Sequence, residues 1–157
     1  MKIIMLDVDG VLNSARYSTS LGNKWDGNQL DPQAIIKLNK LTDITRARLV
    51  VSSTWRLDYP SLPDMQRFLA ASGVTGEVLG MTPYLDMKRS EEILEWLNIN
   101  SKVYNIESFV ILDDDKLEPS DELSNPYLDL HLVKTTWEYG LEDKHIQLAI
   151  DILNRLE

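Results

Sequence analysis

The chain has 157 residues, a formal net charge of −9, and 43% hydrophobic and 26% charged residues. This length and composition predict one globular domain over residues 1–157, with a core of its own. The absence of cysteine excludes disulfides, thiolate metal sites and cysteine nucleophiles. The acidic charge opposes binding along a nucleic-acid backbone or an anionic membrane, and no apolar run approaches the ~20 residues of a membrane span. Because the first strand begins near Lys2, no signal peptide is expected, and the prediction is a cytoplasmic protein.

The first apolar run predicts a buried strand that ends in acidic residues. Residues 3–6 are apolar without alternation, which is typical of a parallel strand buried on both faces. Asp7 and Asp9 follow on one side of the extended chain, and Gly10 allows a sharp turn. Neighbouring carboxylates repel each other unless a cation intervenes, and Mg²⁺ bridging to a phosphate would remove that repulsion. The motif predicts phosphoryl transfer through an aspartyl-phosphate, although alone it also fits a polar turn.

A flap and a helix are predicted next, within residues 14–47. Residues 14–31 are rich in Ser, Gly and Asn, and we interpret them as a loop over the site. Trp25 either anchors this loop or stacks on a substrate, and anchoring is the commoner use of such a residue. Asp31 and Pro32 then predict a helix start. The segment is too short for a bulky cap domain.

Hydroxyl side chains follow the second predicted strand, residues 48–51. Ser52 and Ser53 stand where backbone N–H groups and hydroxyls at a strand end can hold a phosphate, although a simple turn is the alternative. Arg56 either reaches that phosphate or forms a structural ion pair. A helix is predicted over residues 61–72 and a short strand over 77–79. Lys88 and Arg89 begin a helix predicted over 88–97, where cations oppose the helix dipole unless an anion lies opposite.

Three aspartates end the next predicted strand, residues 109–112. Adjacent carboxylates at the end of an apolar strand require a counter-charge, which favours a metal. We expect Asp114 to bind the metal directly, Asp113 to assist, and Asp115 to lie in a turn. Residues 116–127 are predicted to be mainly loop, 128–133 the last strand and 142–156 the closing helix. The alternation predicts an α/β fold with a doubly wound, mainly parallel sheet.

Four stretches in this order resemble the signatures of the haloacid dehalogenase (HAD) superfamily. They are DVDGVLN at residues 7–13, LVVSSTWR at 49–56, the basic pair at 88–89 and FVILDDD at 109–115. Their wording is most similar to the small HAD domains of bacterial and phage RNA-repair (Swiss Army Knife) proteins. The resemblance covers almost the whole chain and implies a Rossmann-like HAD core with a small flap.

The resemblance also implies roles for these residues. Asp7 would be the nucleophile and Asp9 the acid/base group, while Ser52 (or Ser53) and Arg89 (or Lys88) would bind the phosphoryl group. Mg²⁺ would lie between Asp7, the Asp9 carbonyl and Asp114, with Asp113 assisting. Superfamily dehalogenases and transport ATPases lack an acid at the Asp9 position, so the prediction is a phosphatase.

The substrate is expected to be a phosphomonoester, either a small molecule such as a nucleotide or a nucleic-acid end. No extended nucleic-acid surface and no membrane partner are expected. The alternatives are a phosphotransferase of the same fold and a metal-binding regulatory module without turnover.

Overall fold

The computed structural model describes residues 1–115 and 125–155, which form one parallel sheet with helices on both faces. The strands are β1 (Lys2–Leu6), β2 (Arg48–Val51), β3 (Val78–Met81), β4 (Ser108–Asp113) and β5 (Leu132–Lys134). The helices are α1 (Ala15–Leu21), α2 (Pro32–Thr45), α3 (Leu62–Ala71), α4 (Arg89–Tyr104), α5 (Pro126–Asp129) and α6 (Asp143–Leu153). Short 3₁₀ helices lie at Gly22–Lys24 and Thr54–Leu57. The order β3-β2-β1-β4-β5, with every pair parallel, confirms the predicted α/β fold.

Alternation along the buried strands divides the core into two layers. Ile4 and Leu6 face α2, α3 and α6, whereas Ile3 and Met5 face α4 and α5. All of β4 is buried, as expected for a strand covered on both faces. Because every strand is parallel, all five carboxyl ends lie at one edge of the sheet.

The segment 14–31 is not the loop that the sequence predicted, because residues Ala15–Leu21 form α1. The Ser14 side chain accepts the hydrogen bond of Tyr17 N–H, as a helix N-cap does. The first-turn N–H groups of Ala15 and Arg16 bond to the carbonyls of Trp137 and Glu138. Partners so distant in the chain, and the absence of buried residues in α1, explain why no apolar period indicated this helix. No large cap domain is present in the described residues.

The last predicted strand, residues 128–133, is also corrected. Its beginning belongs to α5, because the Asn125 side chain accepts hydrogen bonds from Tyr127 N–H and Leu128 N–H and starts a helical turn. Only Leu132–Lys134 pair with β4. The predicted helix over 88–97 extends further, to Tyr104, and ends where Asn105 adopts a left-handed conformation. Of the predicted loop 116–127, residues 116–124 lie outside the described residues.

Within residues 1–115 and 125–155, no helix has both the length and the apolar character needed to cross a membrane.

Candidate active site

A polar residue follows each strand at the carboxyl edge of the sheet. Asp7 N–H donates to the Leu112 carbonyl at 3.0 Å, and Ser52 N–H donates to the Leu6 carbonyl at 2.9 Å. The sheet's hydrogen bonding therefore continues one residue beyond these strands and places Asp7 between Ser52 and Asp113. β3 and β5 are followed in the same way by Thr82 and Thr135.

Three of the predicted metal ligands meet at this edge. Carboxylate oxygens of Asp7, Asp113 and Asp114 lie within 4.8 Å of one another. Asp7 and Asp113 are almost fully buried, whereas Asp114 is half-buried at the open side. Such oxygens are the ligands that Mg²⁺ prefers. The position of the Asp9 carbonyl toward a metal stays a prediction.

Arg89 is the cation that faces this cluster. It is the first residue of α4, and its guanidinium forms ion pairs with Asp113 and, at 3.5 Å, with Asp7. Burial lowers the pKa of Arg89, but the charges of Asp7 and Asp113 outweigh it and raise that pKa overall. Lys88 instead pairs with Glu91 at 3.4 Å on an exposed surface. The geometry therefore favours Arg89 over Lys88 as the phosphate-binding cation.

The single positive charge of Arg89 cannot neutralise the three carboxylates of Asp7, Asp113 and Asp114. Burial raises the pKa of Asp7, although Arg89 opposes the shift. Burial and the Asp7 charge raise the pKa of Asp113 to about 7. Burial and the Asp115 charge raise the pKa of Asp114 to about 6. A divalent cation would compensate the remaining negative charge, so the donor set fits Mg²⁺.

Asp9 is held by two neutral donors. The Trp55 indole Nε1–H donates to one carboxylate oxygen at 2.9 Å, and the Asn13 amide donates to the other at 2.7 Å. The Asn13 side-chain oxygen also accepts the N–H of Gly10 at 3.0 Å, which fixes the turn. Among the described residues Asp9 forms no ion pair, so its carboxylate is oriented without a permanent positive partner.

The two serines after β2 have different surroundings. The Ser52 hydroxyl is fully buried and has no hydrogen-bond partner in the described part of the chain. The Ser53 hydroxyl accepts the N–H of Trp55 at 3.3 Å and bonds to Asp7, whose pKa it lowers. Because a buried hydroxyl without a partner is free to bond to a ligand, Ser52 is favoured as the phosphate ligand. Ser53 stays the alternative.

In the described part of the chain, Arg56 forms no ion pair with Asp7, Asp113 or Asp114. Its guanidinium forms an ion pair of 2.6 Å with Glu92, and both side chains are buried. Of the two interpretations left open by the sequence, the structural ion pair is therefore the one observed.

Gly10 is required by the approach of Asp114. Its φ of +72° lies in the left-handed region, and a Cβ at this position would overlap the Asp114 carboxylate. The hydroxyl of Thr135, the residue after β5, donates to the Gly10 carbonyl at 2.6 Å and holds the turn in place. The absence of a side chain at Gly10 thus allows the Asp114 carboxylate to lie against the turn.

Four residues around the site were not assigned a role from the sequence: Asn13, Trp55, Thr82 and Thr135. Thr82 shares a signal with Ser52, since each is the first polar residue after an apolar strand, whereas Thr135 follows the charged Lys134. No such signal exists for Trp55, because its contact with Asp9 joins residues 46 positions apart.

A parallel α/β sheet with a cluster of aspartates at its carboxyl edge is the arrangement typical of the HAD class of protein. A family model described as "HAD domain in Swiss Army Knife RNA repair proteins" matches residues 3–146, and the chain belongs to this family. Comparison with curated proteins and with solved structures gave no match.

Proposed function

We propose that this protein is a Mg²⁺-dependent phosphatase that forms an aspartyl-phosphate intermediate on Asp7. The observation that carries the proposal is the meeting of Asp7, Asp113 and Asp114 within 4.8 Å, with Arg89 opposite them. Membership of a HAD family supports the same class of chemistry. The unpartnered hydroxyl of Ser52 supplies a further group for a bound phosphoryl oxygen.

In the first step an Asp7 carboxylate oxygen attacks phosphorus, and the bond between phosphorus and the ester oxygen breaks. Asp9 gives its proton to the departing oxygen. In the second step Asp9 takes a proton from water, the water oxygen attacks phosphorus, and Asp7 is released with inorganic phosphate. Arg89 and Ser52 bind the phosphoryl oxygens throughout.

Asp7, Asp113 and Asp114 would hold the metal ion. When bound, Mg²⁺ supplies charge neutralisation at the phosphate and at the crowded carboxylates. Asp9 distinguishes this chemistry from that of superfamily members without an acid at this position, because an alkoxide leaving group needs a proton. The neutral hydrogen bonds from Trp55 and Asn13 orient Asp9 for that transfer.

We further propose that the substrate is a phosphorylated nucleic-acid end, RNA in particular, or a nucleotide. The family description names RNA repair proteins. The described residues near the site form only a small flap, and exposed aromatic side chains occur in the connections that follow β3 and β5, at Tyr84 and Trp137. Exposed aromatic residues beside an open site can stack on unpaired bases.

A phosphate-release screen tests this function. The substrates are RNA and DNA oligonucleotides with 3′- or 5′-phosphates, mononucleotides and a simple aryl phosphate, each with Mg²⁺ and with chelator. Metal-dependent release by the parent protein, and none by Asp7→Asn, is the expected result. Failure to release phosphate from any ester would contradict the proposal, and phosphate recovered on an acceptor other than water would indicate a phosphotransferase.

A further inference from the structure

The buried ion pair between Arg56 and Glu92 joins two elements of the candidate site. Arg56 lies in the 3₁₀ helix after β2, and Glu92 lies in the first turn of α4. Their side chains are 5% and 1% exposed, and the Nη2–Oε2 distance is 2.6 Å. Burying two charges is unfavourable unless further hydrogen bonds compensate the lost hydration. The pair therefore requires additional partners, and these lie in segments that carry the phosphate-binding groups.

Arg56 binds the segments that follow β2 and β3. Its Nη1 donates to the Ser53 carbonyl at 2.6 Å, and its Nη2 reaches the Pro83 carbonyl at 3.5 Å. The first of these contacts fixes the backbone directly after Ser52. A planar guanidinium can make several such bonds at once, which a lysine cannot.

Glu92 binds the loop that leads into α4. One carboxylate oxygen accepts the N–H of Leu85 at 2.9 Å, while the other pairs with Arg56. Two later residues of this loop, Asp86 and Met87, have positive φ values of 55° and 66°, which side chains rarely adopt. The hydrogen bond to Glu92 holds this unusual backbone immediately before Arg89.

Glu92 is also a potential competitor for Arg89. The two residues are three positions apart on α4, a spacing at which side chains of opposite charge can pair. The Glu92 charge acts on Arg89 and contributes to its raised pKa. Because Glu92 pairs with Arg56, the Arg89 guanidinium pairs with Asp7 and Asp113 instead.

We propose that Arg56, through Glu92, is a positioning residue that sets the location of Arg89 for phosphate binding. The role in phosphate binding rests on the proposed function. Arg56 does not itself touch the phosphate; it acts on groups that do.

The test replaces the whole pair, because removing Arg56 alone would leave the Glu92 charge buried without a cation, with only the Leu85 N–H as a partner. Arg56→Met/Glu92→Met removes both charges at similar volume, an exchange that buried ion pairs often tolerate. Calorimetry would measure binding of inorganic phosphate in the presence of Mg²⁺. We expect about tenfold weaker binding, within the usual range of coupling between contacting residues. Arg48→Met, which breaks an exposed pair with Glu77, is the matched control and should bind phosphate normally.

The same pair replacement in an Arg89→Met background separates positioning from general damage. If the pair acts through Arg89, its replacement should weaken phosphate binding less than twofold further. Equal losses in both backgrounds, or unchanged phosphate binding in a folded pair variant, would overturn the proposal.

A second readout does not depend on the proposed function. The Arg89 Nε–H resonance, identified by its loss in Arg89→Met, should shift and exchange faster with water when the pair is replaced, and should not change in Arg48→Met. An unaltered resonance would overturn the positioning role even in a protein that releases no phosphate. Conversely, a shifted resonance without phosphatase activity would contradict only the proposed function.

Discussion

Asp7 and Asp113 are buried carboxylates that share one cation, Arg89. Ionising either carboxylate costs free energy, because burial removes hydrating water and the other carboxylate lies close. Burial therefore raises the pKa values of both Asp7 and Asp113. The repulsion between the carboxylates is relieved by binding either protons or a metal ion. Near neutral pH, Mg²⁺ coordinates several carboxylate oxygens at once, which a proton does not. We therefore expect Asp7, the proposed nucleophile, to be ionised and reactive only when the metal site is filled.

Replacing Asp7 and replacing Asp9 should impair different steps of the reaction. Asp7→Asn should abolish turnover and formation of any phosphoenzyme, because it removes the attacking oxygen. Asp9→Asn should keep substrate and metal binding and slow turnover by roughly 10²–10⁴-fold, the usual contribution of general acid–base catalysis. The loss should be smaller for esters with good leaving groups. Rapid-quench detection of phosphate on Asp7 in Asp9→Asn tests these separate roles, and phosphate found on Asp9 in the parent protein would refute them.

Gly10→Ala should weaken Mg²⁺ binding by more than about tenfold, because the new Cβ would displace the Asp114 carboxylate from its position. Gly27→Ala is the matched control. Gly27 also has a positive φ, +88°, but nothing lies within 4 Å of an added Cβ. Both variants should lose about 1–2 kcal/mol of folding free energy from the left-handed backbone, and only Gly10→Ala should lose metal in calorimetry. Equal Mg²⁺ affinities would remove the steric link between Gly10 and Asp114.

At the scale of elements, the 3₁₀ helix Thr54–Leu57, which follows β2, connects the first aspartate motif to α4. Trp55 points to Asp9, and Arg56 points to Glu92 on α4. Trp55 also packs on Phe68 of α3, with ring centroids 5.3 Å apart. A single turn thus contacts Asp9, the proposed acid/base group, on one side and the start of α4 on the other.

Trp55→Phe should separate these contacts, since it keeps an aromatic ring against Phe68 but removes the hydrogen bond to Asp9. We expect kcat to fall about tenfold, in line with the value of a hydrogen bond to a charged group, mainly for poor leaving groups. Tyr59→Phe is the control, because Tyr59 stacks on the same Phe68 at 4.5 Å without contacting the site. A uniform loss across all leaving groups would contradict the orienting role of Trp55.

The acidic cluster should also govern the stability of the whole molecule. Because the pKa of Asp113 is raised to about 7 from an ordinary value near 3.8, the folded state binds more protons than the unfolded state between these values. Stability of the metal-free protein should therefore fall as pH rises from about 4 to about 7. Asp114, with a pKa raised to about 6, adds to the trend over a narrower range.

Bound Mg²⁺ should offset this fall in stability with rising pH. At a concentration 100 times its Kd, a ligand of the folded state stabilises by about 2.7 kcal/mol. The gain should be larger at pH 8 than at pH 5, because protons compete with the metal for the carboxylates. Thermal unfolding with and without Mg²⁺ measures it. Asp114→Asn should lose most of the gain, and an undiminished gain would place the metal elsewhere.

Local patterns along the sequence determined the fold class and the positions of the acidic and hydroxyl groups. The strands before Asp7, Ser52 and Asp113 were predicted because buried parallel strands are continuous apolar runs, and parallel strands bring their carboxyl ends to one edge. The helices begun by Asp31 and Ser61 were predicted from their caps, since capping is a property of a few adjacent residues.

Tertiary contacts decided the features that depend on residues distant in the chain. Arg56 could not be assigned from the sequence, because its partner, Glu92, belongs to another element. Helix α1 was predicted as loop because its first N–H groups bond to carbonyls beyond β5. The preference for Arg89 over Lys88 likewise follows from the direction in which α4 begins, which depends on packing against the sheet rather than on neighbouring residues.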